Sequence, residues 1–362
     1  MIETGPTAEF LERVRHGGVY FVFPRPEANL YWASCLADGF LELGIPVFAN
    51  INACPLKGAG DGQWLFPHAP TPPTMDSILV GDISDIEFTA QECHRISNFV
   101  VAQPQRRALI CMSDTTNELT FTTAIPVFVA HALSRSKRPD QRIPWAFGLN
   151  NDVLRMIDAA GKFAPEEPRK PVFIRNFRPS YNQGVRQVLD LAFVKGLERN
   201  FVIDREVDDM ALAPSDSGRF IESYYPRLAN SFGCLAYGGN FHEDLSRSSF
   251  FRARGHAVRW IVGDDPIVAR WDSWRFWESL ASGCLTVTLD FDEYGFLLPV
   301  MPENGIHYIG LRFDRLKEAV DILCSERKPL AKIAEHGRQW ALTYYTPKPT
   351  ALRFLRIIAD NT

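Results

Sequence analysis

Trp271-Asp272-Ser273-Trp274-Arg275-Phe276-Trp277-Glu278-Ser279-Leu280-Ala281-Ser282-Gly283-Cys284-Leu285-Thr286-Val287 is the stretch that decides the fold. Asp272 or Ser273 suits a helix N-cap, because a short side-chain oxygen can accept from the free amides of the first turn. Apolar spacing continues to Ala281, Gly283 has the form of a helix stop, and Cys284 to Asp290 reads as a buried strand. A helix feeding a wholly apolar strand is the repeating unit of a parallel sheet covered on both faces. The amino end of such a helix favours anions through its free N–H groups and its dipole. Arg275 in the first turn adds a permanent planar cation that fits phosphate oxygens. Glu278, about one turn further, is placed to accept both hydroxyls of a ribose. The stretch therefore has the chemistry of a nucleotide diphosphate site.

Working outward, Tyr224 to Gly239 gives a helix over Phe220 to Asn230, a strand over Cys234 to Tyr237, and the pair Gly238-Gly239, which would let backbone approach a ligand closely. Earlier, Val172-Phe173-Ile174 reads as a strand, Tyr181 to Leu197 as a helix and Phe201-Val202-Ile203 as a strand; later, Asp314 to Cys324 reads as a helix and His307-Tyr308-Ile309 as a strand. The first half shows the same alternation. Its strands fall at Val19 to Phe23, Ile45 to Ile51, Ser77 to Asp82 and Ala108 to Asp114, with a helix from Tyr31 to Leu43. Ala164 to Pro171, with three prolines among charges, is the best linker. The expected organisation is α/β, with two Rossmann-like domains facing each other across a cleft. Residues 1–165 form the first domain, 166–346 the second, and 347–362 a helix crossing back to the first. Ligands in open α/β sheets bind at the carboxyl ends of the strands.

Tyr225-x-x-Leu228-x-x-Ser231-x-x-Cys234-Leu235, then a glycine, then Ser273-x-Arg275-x-x-Glu278-x-x-x-x-Gly283-Cys284-Leu285-x-Val287, resembles the exostosin-type domain of GT-B glycosyltransferases and the related bacterial glycosyltransferase-like C-terminal domains. The resemblance covers about 70 residues, roughly half a typical domain. It implies a GT-B arrangement and a glycosyltransferase that moves a sugar from a nucleotide-sugar co-substrate, bound on residues 166–346, to a hydroxyl acceptor (a glycan, glycoconjugate or small molecule) on the side of residues 1–165, with no metal and no other cofactor. It also implies that Arg275 and Glu278 contact the diphosphate and the ribose. Two departures stand out. Roughly thirty residues separate Gly239 from Asp272, more than the family usually has. Tyr237 stands where the family favours proline.

Other groups compete for roles. Arg275 and Glu278 are also spaced as an ordinary i,i+3 ion pair, and Trp271, Trp274 and Trp277 as a core stripe. Arg175 and Arg178 follow the first strand of the second domain, as phosphate contacts or as a solvated basic loop. Asp290-Phe291-Asp292 has the outline of a metal motif but reads better as a helix cap. Gly58-Ala59-Gly60-Asp61-Gly62 lacks the helix that a dinucleotide loop requires. An inverting transfer needs a base on the first-domain side. Asp82, at a strand end, is the leading choice, with Asp114, His131 and Glu27 also nearby in the pattern.

Composition limits the alternatives. Of 362 residues, 46% are hydrophobic, enough for two cores, and 39 basic against 43 acidic residues give a net charge of -4. That balance argues against a disordered chain and against a polyanion-coating protein. A base-modifying transferase acting on nucleic acid would have to use the local arginines Arg247, Arg252, Arg254 and Arg259. A non-catalytic nucleotide-binding or sugar-binding module is the other alternative. The 7 cysteines are scattered without a CxxC, so free thiols in a reducing compartment are expected. With no signal-like start and no long apolar run, the expected location is cytoplasmic, without a membrane span.

Overall fold

A computed structural model of the chain describes residues 6–24, 31–55, 63–84, 90–112, 124–134, 142–161, 169–177, 184–206, 223–241 and 268–361. The first half carries β1 (Val19–Val22), β2 (Val47–Ala49), the ribbon strands β3 (Ala53–Pro55) and β4 (Trp64–Phe66), β5 (Ile78–Asp82), β6 (Arg107–Cys111), β7 (Val127–Val129) and β8 (Arg142–Pro144). Six of these make one parallel sheet in the order β2-β1-β5-β6-β7-β8. The second half carries β9 (Lys170–Ile174), β10 (Val202–Asp204), β11 (Ser231–Leu235), β12 (Asn240–Phe241), β13 (Val268–Ala269), β14 (Leu285–Leu289) and β15 (Ile309–Leu311). Here the parallel order is β10-β9-β11-β14-β15, with β12 and β13 as a separate antiparallel pair. These are two Rossmann-like domains. In each sheet the chain runs outward on one side and then crosses to the other. Topological switch points therefore fall between β1 and β5 and between β9 and β11.

One hydrophobic cluster runs through both domains, from Phe10 and Phe21 to Phe173, Trp277 and Leu323. The helix Pro347–Asp360 contributes to it from the end of the chain. Phe354 sits among Phe40, Phe128 and Trp145 at ring-centroid distances of 5.7, 4.7 and 6.2 Å. Its first turn lies so close to the helix Tyr31–Glu42 that a Cβ on Gly39 would stand 2.1 Å from the Pro347 carbonyl oxygen. Among the described residues no helix is long and apolar enough to cross a membrane.

Some boundaries differ from the sequence reading. Lys170 and Pro171, read as linker, already belong to β9. A proline is tolerated there because the pairing of β9 with β11 shifts register between Ser231 and Gly233. Trp64–Phe66, read as part of a loop, pairs with Ala53–Pro55. The helix expected over Tyr181 to Leu197 is described from Gly184 and takes a π-helical turn at Asp190–Val194 before ending at Leu197. Residues 56–62, with the glycine cluster, and 162–168, in the linker, lie outside the described residues.

Asp38 supplies a test of the first domain. Its carboxylate accepts the Asn151 amide at 2.8 Å, at the start of the helix Asn151–Ala160. Burial pushes this carboxyl up to about 7, against the lowering effect of the Asn151 bond and with Asp152 and Glu42 adding to the rise. A carboxyl whose folded pKa is raised stabilises the fold fully at pH below its unfolded value and loses that contribution as pH climbs through the folded value. Asp38→Asn keeps an acceptor for Asn151 and removes the titration. The variant is expected to gain on the wild type by on the order of 2–4 kcal/mol above pH 7, and by little at pH 4. Urea denaturation at both pH values measures this. Equal differences at the two would remove Asp38 as the cause.

Candidate functional site

The carboxyl edge of the first sheet abuts the second domain. After β7, the Ser134 amide donates to the Gly295 carbonyl at 2.8 Å and the Leu297 amide donates to the Ala132 carbonyl at 2.9 Å. After β8, Phe147 stacks on Trp274 with centroids 4.4 Å apart and planes at 17°. The Asp272 amide donates to His131 Nδ1 at 2.9 Å. The Asp272 carboxylate accepts the Phe147 amide at 3.2 Å and the Trp277 indole N–H at 2.8 Å. Burial raises the pKa of Asp272, against the lowering effect of these hydrogen bonds.

This corrects one expectation. Asp272, Ser273 and Trp274 are 6%, 6% and 8% exposed, so the amino end of the helix Trp274–Ala281 is covered. Ser273 makes no side-chain cap; its carbonyl receives the Phe276 amide. The Asp272 oxygens are taken by Phe147 and Trp277 instead of the helix's own first turn. The physical reason is the aromatic packing: with Phe147 laid on Trp274, the seam at this point is filled by rings. Three cationic side chains lie elsewhere in the second domain.

Those cations gather at the switch point of the second sheet. Asn176 and Phe177 follow β9, and Tyr237 and Gly238 follow β11. Arg175 donates to the Phe177 carbonyl at 3.1 Å, and its guanidinium lies 4.2 Å from the Phe177 ring. Arg186, on the helix Gly184–Leu189, lies 5.0 Å from the same ring and donates to the Tyr237 carbonyl at 3.4 Å. Arg275, half-buried, donates from Nε to the Asn176 carbonyl. Three guanidinia thus meet one dipeptide.

A carboxylate holds Arg175 in place. Asp190, on the π-helical turn, accepts from Arg175 Nε at 2.9 and 3.1 Å and from Nη2, and this bonding raises the arginine's pKa. Arg175 is therefore a buried, paired cation and not a solvated loop residue. Glu278 is buried and accepts the Tyr225 hydroxyl at 3.3 Å. Tyr237 is fully buried, its ring 5.2 Å from Phe177, and burial raises its phenol well above the ordinary range.

The glycine pair serves protein packing. A Cβ on Gly238 would meet the Arg270 and Trp271 carbonyls at 3.2 Å, and one on Gly239, whose φ is +114, would stand 2.7 Å from Val268 Cγ1. Both let the β13 segment close over the end of β11. Asp82 ends β5 at the switch point of the first sheet, 1% exposed, with Oδ1 accepting the Ser84 amide at 2.8 Å. Asp290 caps the short helix Phe291–Tyr294 through the amides of Asp292 and Glu293, and accepts from Asn304 at 2.9 Å. Glu27, Asp114, Arg178, Arg247, Arg252, Arg254 and Arg259 lie outside the described residues.

Sequence reasoning missed Arg186 and Asp190. The available signal was a charged pair at i,i+4 set between the apolar positions Val185, Val188 and Leu189 of one helix.

No protein-family model matches the chain, and no curated protein matches it. Among solved structures it is similar to the crystal structure of TarM, with TM-score 0.43 and 9% identity over 79% of this chain and 55% of that one. It is also similar to AviGT4, a glycosyltransferase involved in avilamycin A biosynthesis, with TM-score 0.44 and 14% identity over 94% of this chain and 96% of that one. A third is the pneumococcal O-GlcNAc transferase GtfA in complex with UDP and GlcNAc, with TM-score 0.41 and 10% identity over 79% and 57%. The chain spans little more than half the length of the TarM and GtfA chains.

Proposed function

We propose that this chain is a glycosyltransferase that moves a sugar from a nucleotide-diphosphate sugar to a hydroxyl acceptor. The observation that carries the reading is the meeting of Arg175, Arg186 and Arg275 at Asn176–Phe177, at the switch point of the second sheet. Transfer releases a diphosphate, and cations fixed before the reaction stabilise the charge that develops on it. Arg275 is the residue we assign to that task. In this reading the guanidinia supply the countercharge, so no metal is required. The acceptor lies on the first-domain side, where Asp82 is the base to test. Seven free cysteines fit a reducing, cytoplasmic compartment.

A second reading, a nucleotide-binding module without turnover, draws support from the covered helix end and from the protein acceptors that the three arginines already hold. A thermal-shift screen with UDP, GDP, ADP and dTDP, followed by turnover of the matching nucleotide-sugars, separates the two. A ligand at about 100 times its Kd adds roughly 2.7 kcal/mol of stability. One nucleoside diphosphate is expected to raise Tm and its sugar conjugate to be consumed in the presence of an acceptor. Stabilisation without sugar release from any conjugate would favour the module. No stabilisation by any nucleotide would remove both readings.

A further inference from the structure

We propose that His131 is a positioning residue for the donor site: by holding the Asp272 amide it sets where the helix Trp274–Ala281, and Arg275 on its first turn, stands against the first domain. This rests on the diphosphate reading of that site. Three observations carry it. The first is backbone strain. His131 has φ +55, in the left-handed region, and is fully buried. A non-glycine residue there costs about 1–3 kcal/mol, and such outliers persist where the surroundings hold them for a purpose. Glycine takes that backbone without steric cost, so the imidazole here occupies a position where a side chain is not needed for the turn.

The second observation is what the ring does. Nδ1 accepts the Asp272 amide at 2.9 Å, which requires it to be unprotonated and puts the proton of a neutral ring on Nε2. Phe147 and Trp271 meet the ring edge to face, at 5.6 Å and 82° and at 6.0 Å and 90°, so its orientation is fixed by aromatic walls from both domains. The third is that the contact forms part of a clasp. Asp272, held by the backbone, reaches back with its carboxylate to the Phe147 amide and forward to the Trp277 indole, one turn into the helix. Phe147 in turn stacks on Trp274, next to Arg275. The first domain therefore grips the start of this helix through main chain, side chain and ring. A misplacement of about 1 Å at a reacting group can cost on the order of a hundredfold in rate, so a grip of this kind has a catalytic consequence without touching substrate.

The test uses the full chain, inorganic pyrophosphate as the probe, and calorimetric titration. His131→Leu keeps bulk and removes the acceptor. His131→Asn offers an amide oxygen close to the place of Nδ1 and suits the left-handed backbone. His131→Leu is expected to bind pyrophosphate about tenfold more weakly than the wild type, and His131→Asn within about twofold of it. Rescue by asparagine separates positioning through the acceptor from simple loss of packing. Wild-type affinity in His131→Leu would overturn the inference, as would equal weakening in both variants. Should His131→Leu fail to fold, His131→Phe takes its place: it likewise removes the acceptor for the Asp272 amide but keeps an aromatic ring against Phe147 and Trp271, with the same tenfold loss expected and wild-type affinity overturning the inference. Arg275→Ala reports on the underlying reading. If Arg275→Ala is weakened and the clasp variants are not, only this inference fails. If the wild type binds no pyrophosphate, or Arg275→Ala binds it as the wild type does, the diphosphate reading fails and takes the inference with it.

Discussion

Arg275→Ala is expected to lower turnover of the cognate nucleotide-sugar about a hundredfold to a thousandfold, the range seen when one preorganised donor to a developing charge is removed. The effect on stability is expected to be small. The side chain is half-buried and its Nε bonds a single carbonyl, that of Asn176, a contact worth about 0.5–1.5 kcal/mol. Rate and stability separate here because the guanidinium sits at a sheet edge: it adds little apolar burial to the core but, in the proposed mechanism, stands where charge develops during transfer. Steady-state kinetics beside a thermal melt measures both. Wild-type turnover in a folded Arg275→Ala protein would remove Arg275 from the mechanism, and equal losses of rate and of folded protein would make it structural.

Phe354→Ala is expected to destabilise the protein by about 3–5 kcal/mol, the usual cost of emptying a phenylalanine site in a packed core. Phe354 is fully buried, and its ring is surrounded by Phe40, Phe128 and Trp145 of the first domain, although it lies at the far end of the chain. A chain ending at Thr346 loses this side chain together with the buried Ala351, Leu355 and Ile358, and is expected not to fold. Because the apolar cluster is continuous across the two sheets, Phe354→Ala is also expected to shift one cooperative unfolding transition. Denaturant melts followed by tryptophan fluorescence and by circular dichroism test this. Two transitions, only one of them moved by Phe354→Ala, would show domains that unfold independently.

The sequence announced its long elements well and its short ones poorly. β1, β5 and β14 lie inside runs read as strands, and β9 and β11 overlap theirs in part, because a strand covered on both faces needs four or five consecutive apolar residues. Val127–Val129 and Arg142–Pro144 are too short for any periodicity to register, and Trp64–Phe66 was hidden among prolines that also break the pattern. The site divides in the same way. The helix beginning near Ser273 and the arginine on its first turn were legible because cap, charge and glycine stop are local signals. Which groups those residues would meet was not. Asp272 has the chemistry of a cap, yet its oxygens serve Phe147, more than a hundred residues away, and the Trp277 indole, and only tertiary packing decides between such partners. Arg175 is a similar case: whether it faces a phosphate or pairs with Asp190 depends on a π-helical turn that no local propensity marks.

In the proposed function a diphosphate binds at the carboxyl edge of the second sheet, on the arginines around Asn176–Phe177. The most direct measurement is a crystal structure of the full chain soaked with the nucleoside diphosphate that gives the largest thermal shift. Density for the two phosphates is expected within hydrogen-bonding distance of the Arg275 guanidinium and beside Arg186. Phosphates bound elsewhere, with both side chains where they stand now, would contradict it.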